Sequence, residues 1–213
     1  MKPVFRAKFL SAFFAAAVPC ALPLALSGCA VSGYSQLSGT KQADVKRIET
    51  YLNNLHSLEA SFAQNGLGSN QQGDGHFVYV PGALRMDYEI PAGLLVLAHD
   101  EKLMMIDSKS EAVTQLSLKK NPLGYLLRHP LNFNENVEVS DVRYGSDTVQ
   151  ISLAQADNPS QGLLTLQFSD VRGKLSLVGI RGTDAQHRHF GLSLYDVHEN
   201  VPVSKEIFTF PSN

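Results

Sequence analysis

The chain has 213 residues, 18 of them basic and 20 acidic, with two cysteines and no tryptophan. That length suits one domain with a sizeable core, and a mildly acidic balance argues against a nucleic-acid partner. The lack of tryptophan removes a side chain on which many sugar-binding and aromatic-cage sites lean.

Lys2, Arg6 and Lys8 make a positive start, no further charge occurs until Lys41, and Phe9 to Leu26 is mostly Phe, Ala, Leu and Val. A positive segment followed by a short apolar core is a secretory signal. A spanning helix needs about 20 apolar residues, and Pro19 and Pro23 interrupt this run at ~3 kcal/mol each in a helix interior. Leu26-Ser27-Gly28-Cys29 then resembles a bacterial lipobox, in which the thiol is acylated and the chain is cut on its amino side. Residues 1–28 are thus read as a lipoprotein signal peptide and Cys29 as the lipidation site. The remainder carries 15 basic and 20 acidic residues, with no polybasic cluster for anionic headgroups. Cys20 leaves with the signal and Cys29 is blocked, so no disulfide is expected despite an oxidising compartment. A lipobox cysteine normally carries several acyl chains, and anchoring is stable when more than one inserts. Ala30, a non-acidic residue after the cysteine, points to the outer membrane under enterobacterial sorting.

Ala30 to Thr40 is rich in Ser, Gly and small residues. Residues 29–40 are therefore expected to form a flexible tether, and 41–213 a single domain. From Gln42 to about Leu58, Val45, Ile48, Leu52 and Leu55 share one helical face. Strands are predicted at Ala60–Gln64, His76–Val80, Leu84–Glu89, Leu94–His99, Lys102–Asp107 and Ala112–Leu118. Further strands are predicted at Val137–Tyr144, Thr148–Ala154, Leu163–Ser169, Leu175–Arg181, His189–Tyr195 and Glu206–Phe210. Turns such as Pro81-Gly82, Pro91-Ala92-Gly93 and Arg172-Gly173 separate them. Such short gaps favour antiparallel hairpins over parallel crossovers. Between Pro122 and Leu131, a short helix with Pro at its start is expected. The fold class is mainly β, about eleven antiparallel strands with short helices.

The later strands alternate apolar and polar residues, as a sheet with one wet face should. Phe77-Val78-Tyr79-Val80, Leu94-Leu95-Val96-Leu97 and Leu103-Met104-Met105-Ile106 are apolar on both faces. Two short helices cannot hide both faces of a broad sheet. Either the sheet curls round an apolar space with the helices as a lid, or it packs solidly as a closed barrel or sandwich. Periodicity alone leaves both open.

Signals for catalysis are sparse. There is no Gly-x-Ser-x-Gly, His-Glu-x-x-His or phosphate loop, so no enzyme activity and no cofactor are expected. His187 and His189 share a strand face but lack a third ligand nearby and flank Arg188, so no metal is expected. Arg85 and Asp87 read as a surface ion pair.

From about Val45 to Pro211 the chain resembles the LolA/LolB family of lipoprotein carriers and receptors. The likeness lies in Ser57-Leu58-Glu59-Ala60-Ser61-Phe62-Ala63-Gln64, in Gly75 to Tyr88 with Pro91, in Leu97 to Asp107, and in Phe208-Thr209-Phe210-Pro211. It implies an unclosed β-barrel with a helical lid over an apolar cavity. The chain departs from the pattern at Val80, where carriers usually have an Arg that helps close the lid, and at Met86, where an aromatic is usual. A lipobox is more like the anchored LolB-type receptor than the soluble LolA-type carrier. The resemblance implies a periplasmic protein, anchored to the outer membrane through Cys29, that takes up the acyl chains of lipoproteins. Its partners would be acylated lipoproteins with the inner-membrane lipoprotein-releasing complex or a soluble carrier, and it would act as a monomer. A carrier of another lipid, such as a glycolipid or phospholipid, or a structural or signalling lipoprotein on this fold, is the alternative. Cavity and lid residues are expected among Phe77, Tyr79, Leu95, Leu97, Met104, Ile106, Leu126 and Leu127. Leu94, after Pro91-Ala92-Gly93, is expected to be the exposed apolar residue that inserts into the membrane.

Overall fold

Period-2 alternation makes most of the strands choose a buried face, and the strands assemble into a single antiparallel sheet. In the computed structural model, the structure describes residues 33–66, 72–119, 122–133, 137–156, 162–184 and 189–211; Cys29 lies outside them. The strands are β1 (Leu58–Gly66), β2 (Gly73–Val80), β3 (Ala83–Ile90), β4 (Leu94–His99), β5 (Lys102–Asp107) and β6 (Ala112–Ser117). They continue with β7 (Val137–Tyr144), β8 (Thr148–Gln155), β9 (Gly162–Val171), β10 (Lys174–Asp184) and β11 (His189–Glu199). Their order in the 11-stranded sheet is β6-β5-β4-β3-β2-β1-β11-β10-β9-β8-β7. Every neighbour pair but one is consecutive in sequence; β1 and β11 join the two halves. The edges β6 and β7 do not pair, so the sheet is an unclosed barrel. Register shifts between Glu59 and Ser61, Val139 and Asp141, and Leu177 and Gly179 mark bulges. Bulges bend strands and raise local twist, which is how a wide sheet curls.

Helix α1 (Gly39–Asn54) lies on the inner face and buries Val45, Ile48 and Leu52. Ile48 is 0% exposed; burying such a side chain stabilises by up to about 3 kcal/mol. The helix starts three residues before the predicted Gln42 because Ser38 caps it, accepting the Lys41 N–H at 3.5 Å. It ends at Asn54, and β1 begins at Leu58. The expected tether over 29–40 is corrected in its second half. Tyr34–Gln36 forms a 3-10 turn, Leu37 is buried and Tyr34 packs on the core. Gln42 Nε2 donates to the Leu37 carbonyl at 2.9 Å, fixing that turn to α1.

The inner core joins Phe62, Phe77, Leu84 and Val96 with Ile151, Leu166, Phe168 and Ile180 under α1. A second cluster sits on the outer face, where Val78 and Ala83 meet Phe208, with Val80, Val203 and Ile207 around it. This corrects two expectations. Glu206–Phe210 is not a strand; Lys205–Phe208 is a 3-10 turn capped by Ser204. The segment lies over the outer face of β2–β4, and Arg85, in a bidentate pair with Asp87 at 2.6 Å, also donates to the Ile207 carbonyl at 2.7 Å. Part of the two-faced apolar pattern is therefore explained by a C-terminal strap.

Candidate functional site

Polar ties hold α1 to the sheet along its length. Lys41 Nζ meets Asp141 of β7 at 3.2 Å, and Arg47 Nη1 donates to Asp170 of β9 at 2.9 Å. Tyr51 donates to Glu199 of β11 at 2.7 Å and accepts the Leu177 N–H at 3.1 Å. Arg47 holds the Asp170 carboxyl below the usual range by hydrogen bonding to it. Burial, reinforced by the bond to Glu199, pushes the Tyr51 phenol well up.

Beyond the C-terminal half of α1, helix α2 (Pro122–Leu126) and the residues after it form a roof. Beneath lies an apolar cavity of about 40 Å³. Phe77 and Tyr79 of β2, Leu177 and Ile180 of β10, Leu52 of α1 and Leu55 just after it form its walls. Leu126, Leu127 and Leu131 cover it. Burial pushes the Tyr79 phenol up to about 12, so this wall stays uncharged at any physiological pH. An apolar cavity of about 150 Å³ can hold a benzene molecule. This one is a narrow seam, and a larger guest needs its lining to move apart.

The structure divides the expected cavity residues by strand face. Phe77, Tyr79, Leu126 and Leu127 line the cavity. Leu95, Leu97, Met104 and Ile106 do not. Leu97 pairs with Arg85 and Met104, and Leu95 with Asp87 and Ile106, which places all four on the outer face. The inner positions of that wing are Val96, Ala98 and Leu103. The mistake is one of parity: in a run apolar on both faces, sequence does not say which alternate set turns inward. Leu94 is half-buried, on the same face as Val96, and its N–H meets the Pro91 carbonyl at 3.4 Å. The protruding apolar side chain at this turn is Ile90, 60% exposed. Ile90 closes β3 ahead of the turn, whereas the sequence pattern points to the residue after it.

Other expected features fall elsewhere. Val80 belongs to the outer cluster with Phe208, so a side chain there starts on the face opposite the cavity. Met86 is buried on the inner face and pairs with Phe77 and Val96. His187 and Arg188 lie outside the described residues, and His189 meets Thr183 Oγ1 at 2.9 Å. No group of three metal-ligating side chains occurs among the described residues, and none of their helices is long and apolar enough to cross a membrane. An open cleft of about 570 Å³ lies on the outer face between the β2–β3 turn and the strap. There His99 stacks on Phe210 at 3.8 Å and its Nδ1 lies 3.0 Å from Asp100. The inner cavity is the better site for an apolar guest, because its lining is leucine, isoleucine and phenylalanine with one tyrosine.

A family model described as outer membrane lipoprotein carrier protein LolA matches residues 53–211. No curated protein matches the sequence. Solved structures with a similar chain trace include a putative outer membrane lipoprotein-sorting protein domain from Vibrio parahaemolyticus. That domain is 9% identical, with 80% of this chain and 97% of that one covered and a TM-score of 0.48. The Mycobacterium tuberculosis lipoprotein LppX is 10% identical, with 76% and 98% covered and a TM-score of 0.40. A DUF1329 family protein from Desulfovibrio piger is 8% identical, with 80% and 96% covered and a TM-score of 0.49.

Proposed function

We propose that this chain, which belongs to the family of the outer membrane lipoprotein carrier protein LolA, takes up the acyl chains of lipoproteins and hands them on at the outer membrane. The observation that carries this reading is the narrow, leucine-rich apolar seam between the sheet and the roof. An acyl chain gains about 0.8 kcal/mol for each CH₂ buried. Several chains would bind too tightly for transfer, since affinities saturate near −20 kcal/mol. The roof supplies a counterweight. Leu126, Leu127 and Leu131 are buried when the roof is down, and exposing three leucines costs about 5–9 kcal/mol. Each guest must displace that contact, which keeps release within reach, and hand-over then follows the difference in affinity between donor and acceptor.

Cys29 supports an anchored receptor of the LolB type over a free carrier. In this reading the protein sits in the periplasm on the outer membrane and receives cargo from a soluble carrier or the inner-membrane releasing complex. It binds and transfers without catalysis. Ile90, projecting from the β3–β4 turn, replaces Leu94 as the residue expected to touch the bilayer.

The test is a transfer assay. The Cys29→Ala form of the chain is mixed with a radiolabelled triacylated lipoprotein on its inner-membrane releasing complex. Label is expected to pass into a soluble complex. Ile90→Glu is then expected to accept label but to deliver it poorly to outer-membrane vesicles. No transfer of label, with a control carrier active, would remove the lipoprotein reading and turn the search to other lipids.

A further inference from the structure

The unclosed sheet has two edges, and they are finished differently. An edge strand shows unpaired N–H and C=O groups, which proteins blunt with charge, a bulge or a covering segment. β7 is blunted. It carries Glu138, Asp141 and Arg143, and its register shifts between Val139 and Asp141. It also meets α1 through Lys41–Asp141 at 3.2 Å and Tyr144–Asp44 at 2.9 Å. β6 has neither charge nor bulge. Ala112-Val113-Thr114-Gln115-Leu116-Ser117 contains no proline, pairs with β5 in unbroken register and is exposed at every residue. Val113 is 55% exposed and Leu116 51%.

The register shows which backbone groups are free. The Leu118 N–H donates to the Glu101 carbonyl at 2.7 Å, and backbone bonding alternates along an antiparallel pair. Leu116, Thr114 and Ala112 therefore bond back to β5. Val113, Gln115 and Ser117 turn their N–H and C=O groups outward, where the sheet has no further strand. The side chains of those three residues lie on the outer face, while Thr114 and Leu116 share the inner face with Leu103.

The flanks of the strand show what fits there. Glu111 and Lys119 each stand four residues from Gln115, one on either side, and both are exposed. A second β6, antiparallel about a two-fold axis through Gln115, sets Val113 opposite Ser117 and Thr114 opposite Leu116. It also sets Lys119 of each copy against Glu111 of the other. The outward backbone groups of Val113, Gln115 and Ser117 then all find partners, and opposite charges close both ends. Such a contact uses one self-complementary patch, as a two-fold dimer requires. We propose that β6 is the docking edge for a second copy of this chain, joining two sheets into one through a pairing centred on Gln115. This replaces the monomer expected from the sequence resemblance. A single strand pair buries little surface, so the association is weak and depends on concentration. It does not depend on what the inner cavity holds.

Sedimentation equilibrium and disulfide trapping test the pairing. Both use the full chain with Cys20 and Cys29 replaced by alanine, over roughly 1–200 µM, where small interfaces associate. The parent is expected to pass from monomer to dimer. In Gln115→Cys the two α-carbons would lie about 5.5 Å apart, within the span of a disulfide. Mild oxidation should link it, whereas Ser146→Cys, exposed on the β7–β8 turn, should stay monomeric. Gln115→Pro removes an outward N–H and leaves the bonds to β5, so it should fold, checked by circular dichroism, and remain a monomer. Glu111→Lys and Lys119→Glu should each weaken the dimer about fivefold or more, and the double variant should recover it. Dimerisation that survives Gln115→Pro, or equal trapping at Ser146→Cys, overturns the edge. A double variant no better than the single ones overturns the pairing centred on Gln115. A parent that stays monomeric overturns the proposal. Protection of the Val113, Gln115 and Ser117 amides by added lipoprotein would then assign the edge to cargo.

Discussion

Replacing Tyr51 with phenylalanine removes one oxygen and tests whether α1 is pinned to the sheet by polar ties. The hydroxyl bonds Glu199 at 2.7 Å and the Leu177 N–H at 3.1 Å, while the ring meets Phe168 edge-on at 5.7 Å. Tyr51→Phe keeps the ring, so the loss falls on the polar side. A hydrogen bond to a charged group is worth about 1.5–3 kcal/mol, and a buried N–H left without a partner costs about 1–3 kcal/mol. Ser176 still donates to Glu199 at 2.8 Å, so the carboxylate keeps one partner and the lower part of the range applies. The expected loss is about 2–4 kcal/mol. At roughly 2–4 °C per kcal/mol for a domain of this size, Tm should fall by about 5–15 °C. Tyr144→Phe is the control. Its hydroxyl bonds Asp44 at 2.9 Å, but the residue is exposed, and a loss below about 1 kcal/mol is expected. Urea and thermal unfolding of both variants give the comparison, and equal losses would refute the argument. There is also a pH signature. Burial, then the bond to Glu199, raises the Tyr51 phenol in the folded state. A raised folded value means stabilisation that is whole below the unfolded pKa, about 10, and lost as pH climbs through the folded value. Stability of the parent should therefore decline more steeply above about pH 10 than that of Tyr51→Phe.

The opposite sign applies at Asp170, whose carboxyl is lowered first by its hydrogen bond from Arg47. That stabilisation is present above the unfolded pKa, about 4, and lost as pH falls through the folded value; acid unfolding followed by circular dichroism should show Asp170→Asn less stable at pH 7 but flatter below about pH 4. Phe133→Ala empties a fully buried site in the roof and should cost about 3–5 kcal/mol. Val113→Ser, at a position 55% exposed on edge strand β6, should stay within about 0.5 kcal/mol in the same denaturation series. Metabolic labelling with palmitate should mark the parent in the membrane fraction. Cys29→Ala should take up no label and move to the soluble periplasmic fraction; label on the variant would end the lipobox reading.

Strand positions were readable because local pattern and turn chemistry agree. Leu94–His99, Lys102–Asp107 and Val137–Tyr144 match the predicted limits residue for residue. The exception, Glu206–Phe210, is apolar because Ile207 and Phe208 pack on the outer face of the sheet, not because the segment pairs as a strand. Helix α1 was legible from Val45, Ile48, Leu52 and Leu55, but its start depended on the Ser38 cap and on the packing of Leu37. The site was half legible. Phe77 and Tyr79 lie on the inner face, as do the roof residues Leu126 and Leu127, whereas Leu95, Leu97, Met104 and Ile106 belong to the outer face.

By itself the sequence determined the β class, the antiparallel order implied by short turns, the amphipathic helix and the apolar character of the roof. These follow from interactions within a few residues, where period and turn chemistry act directly. Tertiary structure decided which face of the β4–β5 wing turns inward, that a C-terminal strap covers the outside of β2–β4, and that the cavity is shut to about 40 Å³. It also brought Asn53 to Leu131 and Tyr51 to Glu199 across long stretches of chain. A strand apolar on both faces is nearly indifferent, locally, to being turned over. The choice is made by what covers each face, and the covering segments are α1 and the roof on the inside and the C-terminal strap on the outside.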